Sequence, residues 1–324
     1  MNRRAVWAIL TGMFVPYVGT LAWTGTIHGE ELHYEQQKEL SGKRRILLDR
    51  GGKAYYMDLE EYLPGVIARQ MPVEYEPEAL KAQAIIARTY ICRQMEAAGN
   101  KDEIAESSLD MDFAETDQLR ALWGSSLFPE YYTRLEEAAA ATRGITMTFE
   151  GHYIDAMFCR ATAGSTRAGD IAHAYLQSKP CPLDVEAEGF VSVTIFSKND
   201  MAAALSSAQS ALSDQETGGS DLRRVRPEAL PDTVQIGSRD EVGYVTQLQI
   251  DGIAYTGEQV QFALGLPSAC FTLEGYEDNV RITTKGIGHG FGLSQHTANE
   301  LAKEGWKAQD ILGYFYKNIA FISE

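Results

Sequence analysis

The chain has 324 residues, of which 44% are hydrophobic and 23% are charged, a balance typical of folded globular proteins. This composition excludes a disordered, collagen-like or many-span membrane chain, and the length is enough for about two domains. The formal net charge is −16. Such an acidic chain repels phosphate backbones, so nucleic acid is not expected as a partner.

The N-terminus carries the pattern of a membrane segment. Arg3 and Arg4 precede an uncharged, largely apolar stretch over residues 5–27. About 20 apolar residues are enough for a helix to cross the hydrocarbon core, and basic residues favour the cytoplasmic side. We therefore predict a transmembrane signal anchor within residues 1–29, with a cleaved signal peptide as the alternative. Residues 30–324 then form an extracytoplasmic domain of a single-pass protein of the cell membrane.

The first part of this domain shows clear helix and strand signals. Two short strands, over residues 46–48 and 54–57, flank the turn Gly51-Gly52. A short helix follows over residues 59–67 and ends before the break at Gln70-Met71-Pro72. A long helix then runs from Pro77 to Gly99, with apolar residues at spacings of three and four.

The remaining chain mixes strands and helices without regular alternation. We predict a loop with short helices over residues 101–130, an irregular segment over 161–189 and a linker over 215–221. Strands are predicted over 145–149, 153–158, 191–196, 233–236, 245–250 and 271–273, and helices over 135–142, 201–212, 257–264, 294–304 and 308–316. The absence of regular βαβ units predicts an α+β fold, with a mixed sheet and helices forming a single cleft-containing domain.

Two long motifs resemble those of one known family. The first runs from Glu60 to Pro72 and continues from Glu78 to Tyr90; the second is Gly286-Ile287-Gly288-His289-Gly290-Phe291-Gly292-Leu293-Ser294-Gln295. Together they resemble the SpoIID/LytB family of sporulation proteins and amidase enhancers, over roughly residues 45–320. The resemblance implies a peptidoglycan lytic transglycosylase that cuts glycan strands stripped of stem peptides and leaves 1,6-anhydro ends. It also implies peptidoglycan glycan strands and a cell-wall amidase as partners.

The residue that precedes Met71-Pro72 departs from the family pattern. The family has a glutamate there as general acid, and this chain has Gln70. A glutamine amide can bind sugar hydroxyls but has no proton to exchange near neutral pH. General acid–base catalysis typically contributes about 10²–10⁴-fold, so little activity would remain. Three interpretations stay open: a glycan-binding pseudoenzyme, replacement of the acid by Glu74, Glu76 or Glu78, or an engineered inactive variant.

The resemblance also suggests side chains that contact the substrate. The predicted contacts are Tyr62, Arg88, His289, Ser294 and Gln295. Each has a structural alternative. Ser294 is a good N-cap for the following helix, Arg88 can pair with Glu61, and Tyr62 is a typical core residue.

No cofactor is expected, and no zinc. Some sporulation members of the family hold zinc with Cys and His ligands, but the corresponding stretch from Ser107 to Trp123 contains neither residue type. Cys159, His152 and His173 lack the tight spacing of a zinc site. The four cysteines, Cys92, Cys159, Cys181 and Cys270, are too few for a disulfide scaffold. They are either disulfide-bonded or buried thiols.

Overall fold

The structure is a computed structural model that describes residues 44–100, 102–216 and 224–323. The predicted anchor at residues 1–29 lies outside these ranges, as does most of the predicted linker. Within the described ranges, no helix is both long and apolar enough to cross a membrane. Helices and several small sheets alternate irregularly along the chain, which confirms the predicted α+β class.

The α-helices of the described residues are α1 (Leu59–Gln70), α2 (Pro77–Ala97), α3 (Thr116–Ala141), α4 (Lys198–Glu216), α5 (Gly257–Leu264), α6 (Gln295–Lys303) and α7 (Ala308–Phe315). The strands are β1 (Arg45–Arg50), β2 (Lys53–Asp58), β3 (Glu103–Ala105), β4 (Ile145–Phe149), β5 (His152–Tyr153), β6 (Phe158–Cys159), β7 (Val191–Ser197), β8 (Gln235–Arg239), β9 (Val245–Ile250), β10 (Ile253–Tyr255), β11 (Phe271–Tyr276), β12 (Asn279–Lys285), β13 (Leu293–Ser294) and β14 (Ala320–Ser323).

The chain divides into two compact units. The first comprises Met1–Tyr62 and Gln94–Asp110, and its described part contains a three-stranded sheet in the order β2-β1-β3. Strands β1 and β2 form an antiparallel hairpin, whereas β3 pairs parallel to β1. Gly51 and Gly52 both have positive φ, which confirms the predicted turn.

The second unit comprises Leu63–Arg93 and Met111–Glu324. It contains three-stranded sheets in the orders β10-β9-β8, β11-β12-β7 and β14-β4-β5, in which every pair is antiparallel. Strands β6 and β13 form a short parallel pair. This pair joins the segment around Cys159 to the glycine-rich motif near the C-terminus.

One hydrophobic core of the second unit lies among α4, α5 and strands β9–β12. Its members include Leu248, Val260, Phe271 and Ile282, all buried. Helix α5 has its predicted bounds because Thr256 forms a capping box at its start and Gly265, in the left-handed region, ends it. Helices α6 and α7 also lie within a residue of prediction at each end.

Helix α3 was not predicted over most of its first half. The capping box of Glu115 and Gln118 starts this helix, and Gly124, at φ 71°, interrupts its geometry. Only Leu119 is buried before Leu135, so the apolar period that identifies a helix is missing there. The expectation of a loop with short helices over residues 101–130 was therefore wrong from Thr116 onward, where the helix begins. Strand β12, central in its sheet, was also missed.

Candidate functional site

Three glutamines, from α1, α2 and α6, meet at the end of α1. The Gln83 amide nitrogen donates to the Gln70 side-chain oxygen at 2.8 Å. The Gln295 amide nitrogen donates to the Gln70 backbone carbonyl at 2.8 Å and to the Gln83 side-chain oxygen at 3.2 Å. We call these residues the glutamine cluster. It holds the half-buried Gln70 amide in one orientation.

The Gln70 side chain keeps one group for a ligand. Its oxygen accepts a hydrogen bond from Gln83, but its Nε2 forms no hydrogen bond with any described residue. Helix α1 ends at Gln70, and Pro72 follows two residues later. Because proline cannot donate the next helical bond, the chain turns away here and leaves the Gln70 side chain at the helix end. The amide is placed to donate to a hydroxyl or carbonyl oxygen.

A buried carboxylate fixes the start of α6, which carries Gln295. Asp184 is fully buried and accepts hydrogen bonds from the backbone N–H and the hydroxyl of Thr162 at 2.6 and 2.7 Å. The Ser294 and Thr297 hydroxyls also donate to it, at 2.8 and 2.7 Å. Ser294 caps α6 as predicted, since its hydroxyl accepts from the Thr297 amide. Asp184 is thus a positioning residue that sequence reasoning missed; its only sequence signal was the segment Cys181-Pro182-Leu183-Asp184.

The predicted contact His289 lies in the glycine-rich loop that precedes β13. Its Nδ1 accepts from the Phe291 amide at 3.0 Å. Burial lowers the pKa of His289, and the positive charge of Arg167 lowers it further. The imidazole is therefore favoured in its neutral form, with one ring nitrogen engaged by the loop itself.

Arg167 is a buried residue that contacts this loop through a hydrogen bond and a cation–π interaction. It is buried and donates to Asp240 at 2.6 Å, to Glu258 at 2.9 Å and to the His289 carbonyl at 3.3 Å. Its guanidinium also lies 4.4 Å from the centre of the Phe291 ring, a cation–π distance. These contacts account for the shape of the loop without a ligand.

The other two predicted contacts, Arg88 and Tyr62, are fully buried. The Arg88 guanidinium donates to the carbonyls of Ile145 and Ala139, at 3.1 and 3.2 Å, and so joins α2 to the end of α3. In the first unit, the Tyr62 hydroxyl donates to Glu106 at 3.2 Å. Neither side chain has exposed surface for a sugar, so both act in packing in this structure.

The three glutamates named as substitute acids are placed differently. Glu74 is exposed, and Glu76 is held through its backbone amide by Asn299 at 2.8 Å. Burial opposes ionisation of Glu78, but hydrogen bonds from Lys81 and the Ala308 amide outweigh it and hold the Glu78 pKa below the usual value. No carboxylate of the described chain hydrogen-bonds to a side chain of the glutamine cluster.

Two polar side chains beside the start of α6, Arg160 and His296, have nitrogens with no hydrogen-bond partner among the described residues. The exposed Arg160 follows β6, and its carbonyl accepts from the His296 amide at 3.0 Å. Across residues 44–100, 102–216 and 224–323, its guanidinium makes no hydrogen bond or ion pair, and the buried His296 Nε2 also lacks a hydrogen-bond partner. Burial raises the pKa of Tyr75, whereas the positive charge of Arg160 lowers it. Sequence reasoning gave no signal for Arg160.

Within the described residues there is no group of three or more His, Cys, Asp or Glu side chains arranged to hold a metal ion. None of the four cysteines, all of which lie in the described ranges, is in a disulfide, and Cys92, Cys159 and Cys181 are buried. Burial raises the pKa of Cys181 to about 12, which keeps this thiol protonated and unreactive.

Comparison with known proteins places the chain in a family. The family model "SpoIID: Stage II sporulation protein" matches residues 50–149. Stage II sporulation protein D of Bacillus amyloliquefaciens is 33% identical over 271 residues, covering 81% of this chain and 73% of the relative. The Bacillus subtilis (strain 168) protein of the same name is 32% identical over 273 residues, with coverages of 80% and 73%. The chain therefore belongs to the stage II sporulation protein D family. The amidase enhancer of B. subtilis is 24% identical over 301 residues, 81% of this chain but 40% of that protein.

Proposed function

We propose that this chain is a cell-wall protein of sporulation that binds peptidoglycan glycan strands at the glutamine cluster without cutting them. The observation that supports this most is the fixed Gln70 amide, with Nε2 left unbonded at the position where the family pattern has glutamate. An amide in this place donates to a sugar oxygen but cannot protonate it. The exposed Arg160 guanidinium adds a further polar group for a strand.

Retained catalysis through a substitute acid is the less favoured alternative. Glu78 is held ionised by Lys81 and Ala308, and a general acid must be protonated at the start of the reaction. Glu74 and Glu76 do not reach the glutamine cluster. The geometry therefore favours binding over cleavage.

The test compares the full-length wild type with Gln70→Glu and Gln70→Ala, using glycan strands free of stem peptides. Binding is measured by calorimetry, and 1,6-anhydro ends are counted by mass spectrometry. We expect the wild type to bind without cutting, Gln70→Ala to bind more weakly, and Gln70→Glu to release anhydro ends.

Gln249→Glu, at an exposed position on β9, is the matched control for the added charge and should behave as wild type. Anhydro product from the wild type, or failure of the wild type to bind, would overturn the proposal.

A second role is proposed on the similarity to the amidase enhancer. In this role the bound protein stimulates a cell-wall amidase that acts on the same strands. Amidase turnover on intact sacculi should rise when the wild type is added and should rise less with Gln70→Ala. If the wild type and Gln70→Ala raise amidase turnover equally, stimulation does not depend on glycan binding at Gln70, and the second role as proposed is refuted.

We also propose that residues 1–29 anchor the chain in the cell membrane, with the remainder outside the cytoplasm. The support is the uncharged stretch behind Arg3 and Arg4. The full chain should stay with membranes in alkaline carbonate, and protease added to protoplasts should digest its C-terminal domain. Release into the carbonate supernatant would contradict the anchor.

A further inference from the structure

An open groove of about 670 Å³ lies along α7, away from the glutamine cluster. It is lined by Glu304, Gly305, Trp306, Gln309, Asp310, Gly313, Tyr314 and Lys317. The Trp306 and Tyr314 rings meet edge to face, with their centres 6.2 Å apart, and Trp306 is 36% exposed. Large aromatic faces beside hydrogen-bonding side chains suit a ligand that is apolar on one face and polar at its edge. A pyranose ring has this character.

Gly313 lines this groove and contributes no side chain to it. It lies inside α7, without the positive φ that would require glycine. A Cβ built at this position would meet no atom within 4 Å. Glycine weakens a helix relative to alanine, so neither the backbone nor its neighbours explain this residue. A ligand laid against the helix backbone would explain it.

Two lysines lie together at the Tyr314 end of the groove. Lys317 Nζ donates to the Gly313 carbonyl at 3.1 Å, and Lys179 Nζ lies 6.0 Å from the centre of the Tyr314 ring. Burial lowers the pKa of Lys179, and the adjacent Lys317 ammonium lowers it further. Neither member of this lysine pair forms an ion pair with a carboxylate in the described part of the chain. Two uncompensated cations side by side in an acidic protein favour an anionic ligand.

The groove and the glutamine cluster share supporting elements. The Ala308 amide at the start of α7 donates to Glu78 at 3.0 Å, and Glu78 opens α2, which also carries Gln83. Helix α6 connects the two places. Its 9 residues run from Gln295 to just before the groove, a length of about 13 Å at the usual helical rise. A few consecutive sugar rings span this distance.

We propose that this groove is a second glycan subsite, which takes an amino sugar bearing a free carboxylate. Trp306 and Tyr314 contact the ring, the Gly313 backbone lets it approach, and the lysine pair binds the carboxylate. The carboxylates of Glu304 and Asp310 accept hydrogen bonds from hydroxyl and acetamido groups at the other end. The inference rests on the proposed function, and the sugar that meets it is a muramic acid residue whose lactyl carboxylate has lost its stem peptide.

The test uses the full-length chain in detergent and three tetrasaccharides. One is an N-acetylglucosamine–N-acetylmuramic acid repeat with free carboxylates, the second is its methylamide, and the third is chitotetraose, which has no lactyl group. Affinities are measured by calorimetry, and the Trp306 indole N–H signal is followed by NMR, with Trp306→Phe for its assignment. The wild type should bind the free acid most tightly, and this ligand should shift the Trp306 signal.

Lys317→Gln should weaken binding of the free acid about fivefold and leave the other two ligands within about twofold, the effect of one partly exposed ion pair. Lys53→Gln removes an exposed charge in the first unit and is the matched control. Gly313→Ala should unfold at the same temperature or about 1–3 °C higher, because alanine favours the helix. It should nevertheless weaken all three ligands about threefold, because the added methyl fills the groove floor.

The outcomes separate the two proposals. If the wild type binds none of the three ligands, the proposed function fails and this inference fails with it. If the wild type binds but Gly313→Ala and Lys317→Gln bind as the wild type does, glycan binding stands and the groove is refuted. An unshifted Trp306 signal at saturation would likewise refute the groove.

Discussion

The hydrogen bonds around Asp184 provide the sharpest test of how the site is held. Thr162, Ser294 and Thr297 all donate to this fully buried carboxylate, and Ser294 is also the N-cap of α6. Asp184→Asn keeps the size and one acceptor oxygen but replaces the other oxygen by an NH₂ group. The Ser294 and Thr297 hydroxyls can rotate to accept from it, whereas the Thr162 backbone N–H cannot. The variant should therefore fold, with weaker bonds at the start of α6.

The expected loss follows from the number and kind of these bonds. A hydrogen bond to a charged group contributes about 1.5–3 kcal/mol, and a neutral bond about 0.5–1.5 kcal/mol. Four donor groups lose the charged acceptor, while removal of a buried charge offsets part of the loss. We expect Asp184→Asn to lower the free energy of unfolding by about 2–3 kcal/mol, or roughly 4–8 °C in Tm.

Urea denaturation followed by circular dichroism gives this free energy, and an unchanged m value confirms that the same transition is compared. Ser294→Ala is the matched variant. It removes one donor and the helix cap and should cost about 1–2 kcal/mol. If Asp184→Asn unfolds within about 0.5 kcal/mol of the wild type, the carboxylate does not organise α6 and our reasoning is wrong.

Two further predictions concern the glycine-rich loop. Burial lowers the folded-state pKa of His289, so the unfolded chain takes up a proton before the folded chain does as the pH falls. The contribution of this residue to the free energy of unfolding should therefore fall as the pH drops below about 6.5. His289→Gln should remove that part of the dependence of the free energy of unfolding on pH between pH 7.5 and 5.5, measured by urea titrations. Parallel slopes would contradict this. Gly292 has φ 71°, and a Cβ there would overlap the Met157 carbonyl. Gly292→Ala should therefore lower the free energy of unfolding by more than about 3 kcal/mol. Gly51→Ala is the control and should lower it by about 1 kcal/mol, because φ is 66° there but the space around the Cβ is open. Equal losses in thermal unfolding would show that crowding is not the cause.

Local signals in the sequence were sufficient for several elements. Gly51-Gly52 predicted the first hairpin, and the bounds predicted for α5 agree with the capping residues that the structure shows, because turns and caps depend on neighbouring residues. The first half of helix α3 was not predicted, because it is largely exposed and its apolar residues do not recur at helical spacing. Most of the secondary structure that could be predicted was set by turn and capping residues close together in the sequence.

The candidate site depends on partners far apart in the chain. The motif before Met71-Pro72 identified Gln70, and helix-capping chemistry identified Ser294. Asp184 was missed because its donors lie up to 113 residues away, and spacing in a sequence does not show such pairs. Arg88 was read as a cleft residue for the same reason, since its carbonyl partners lie 51 and 57 residues further along the chain.

The bond from Gln295 to the Gln70 carbonyl joins residues 225 positions apart. A chain made from its N-terminus therefore has α1 and α2 long before the third glutamine exists. Because long-range contacts close late and slowly, the site is among the last parts of the molecule to mature. A fragment limited to residues 50–149, the segment that the family model matches, contains Gln70 and Gln83 but can never complete the cluster. Termination of the chain before residue 295 would likewise remove the third glutamine and abolish the cluster.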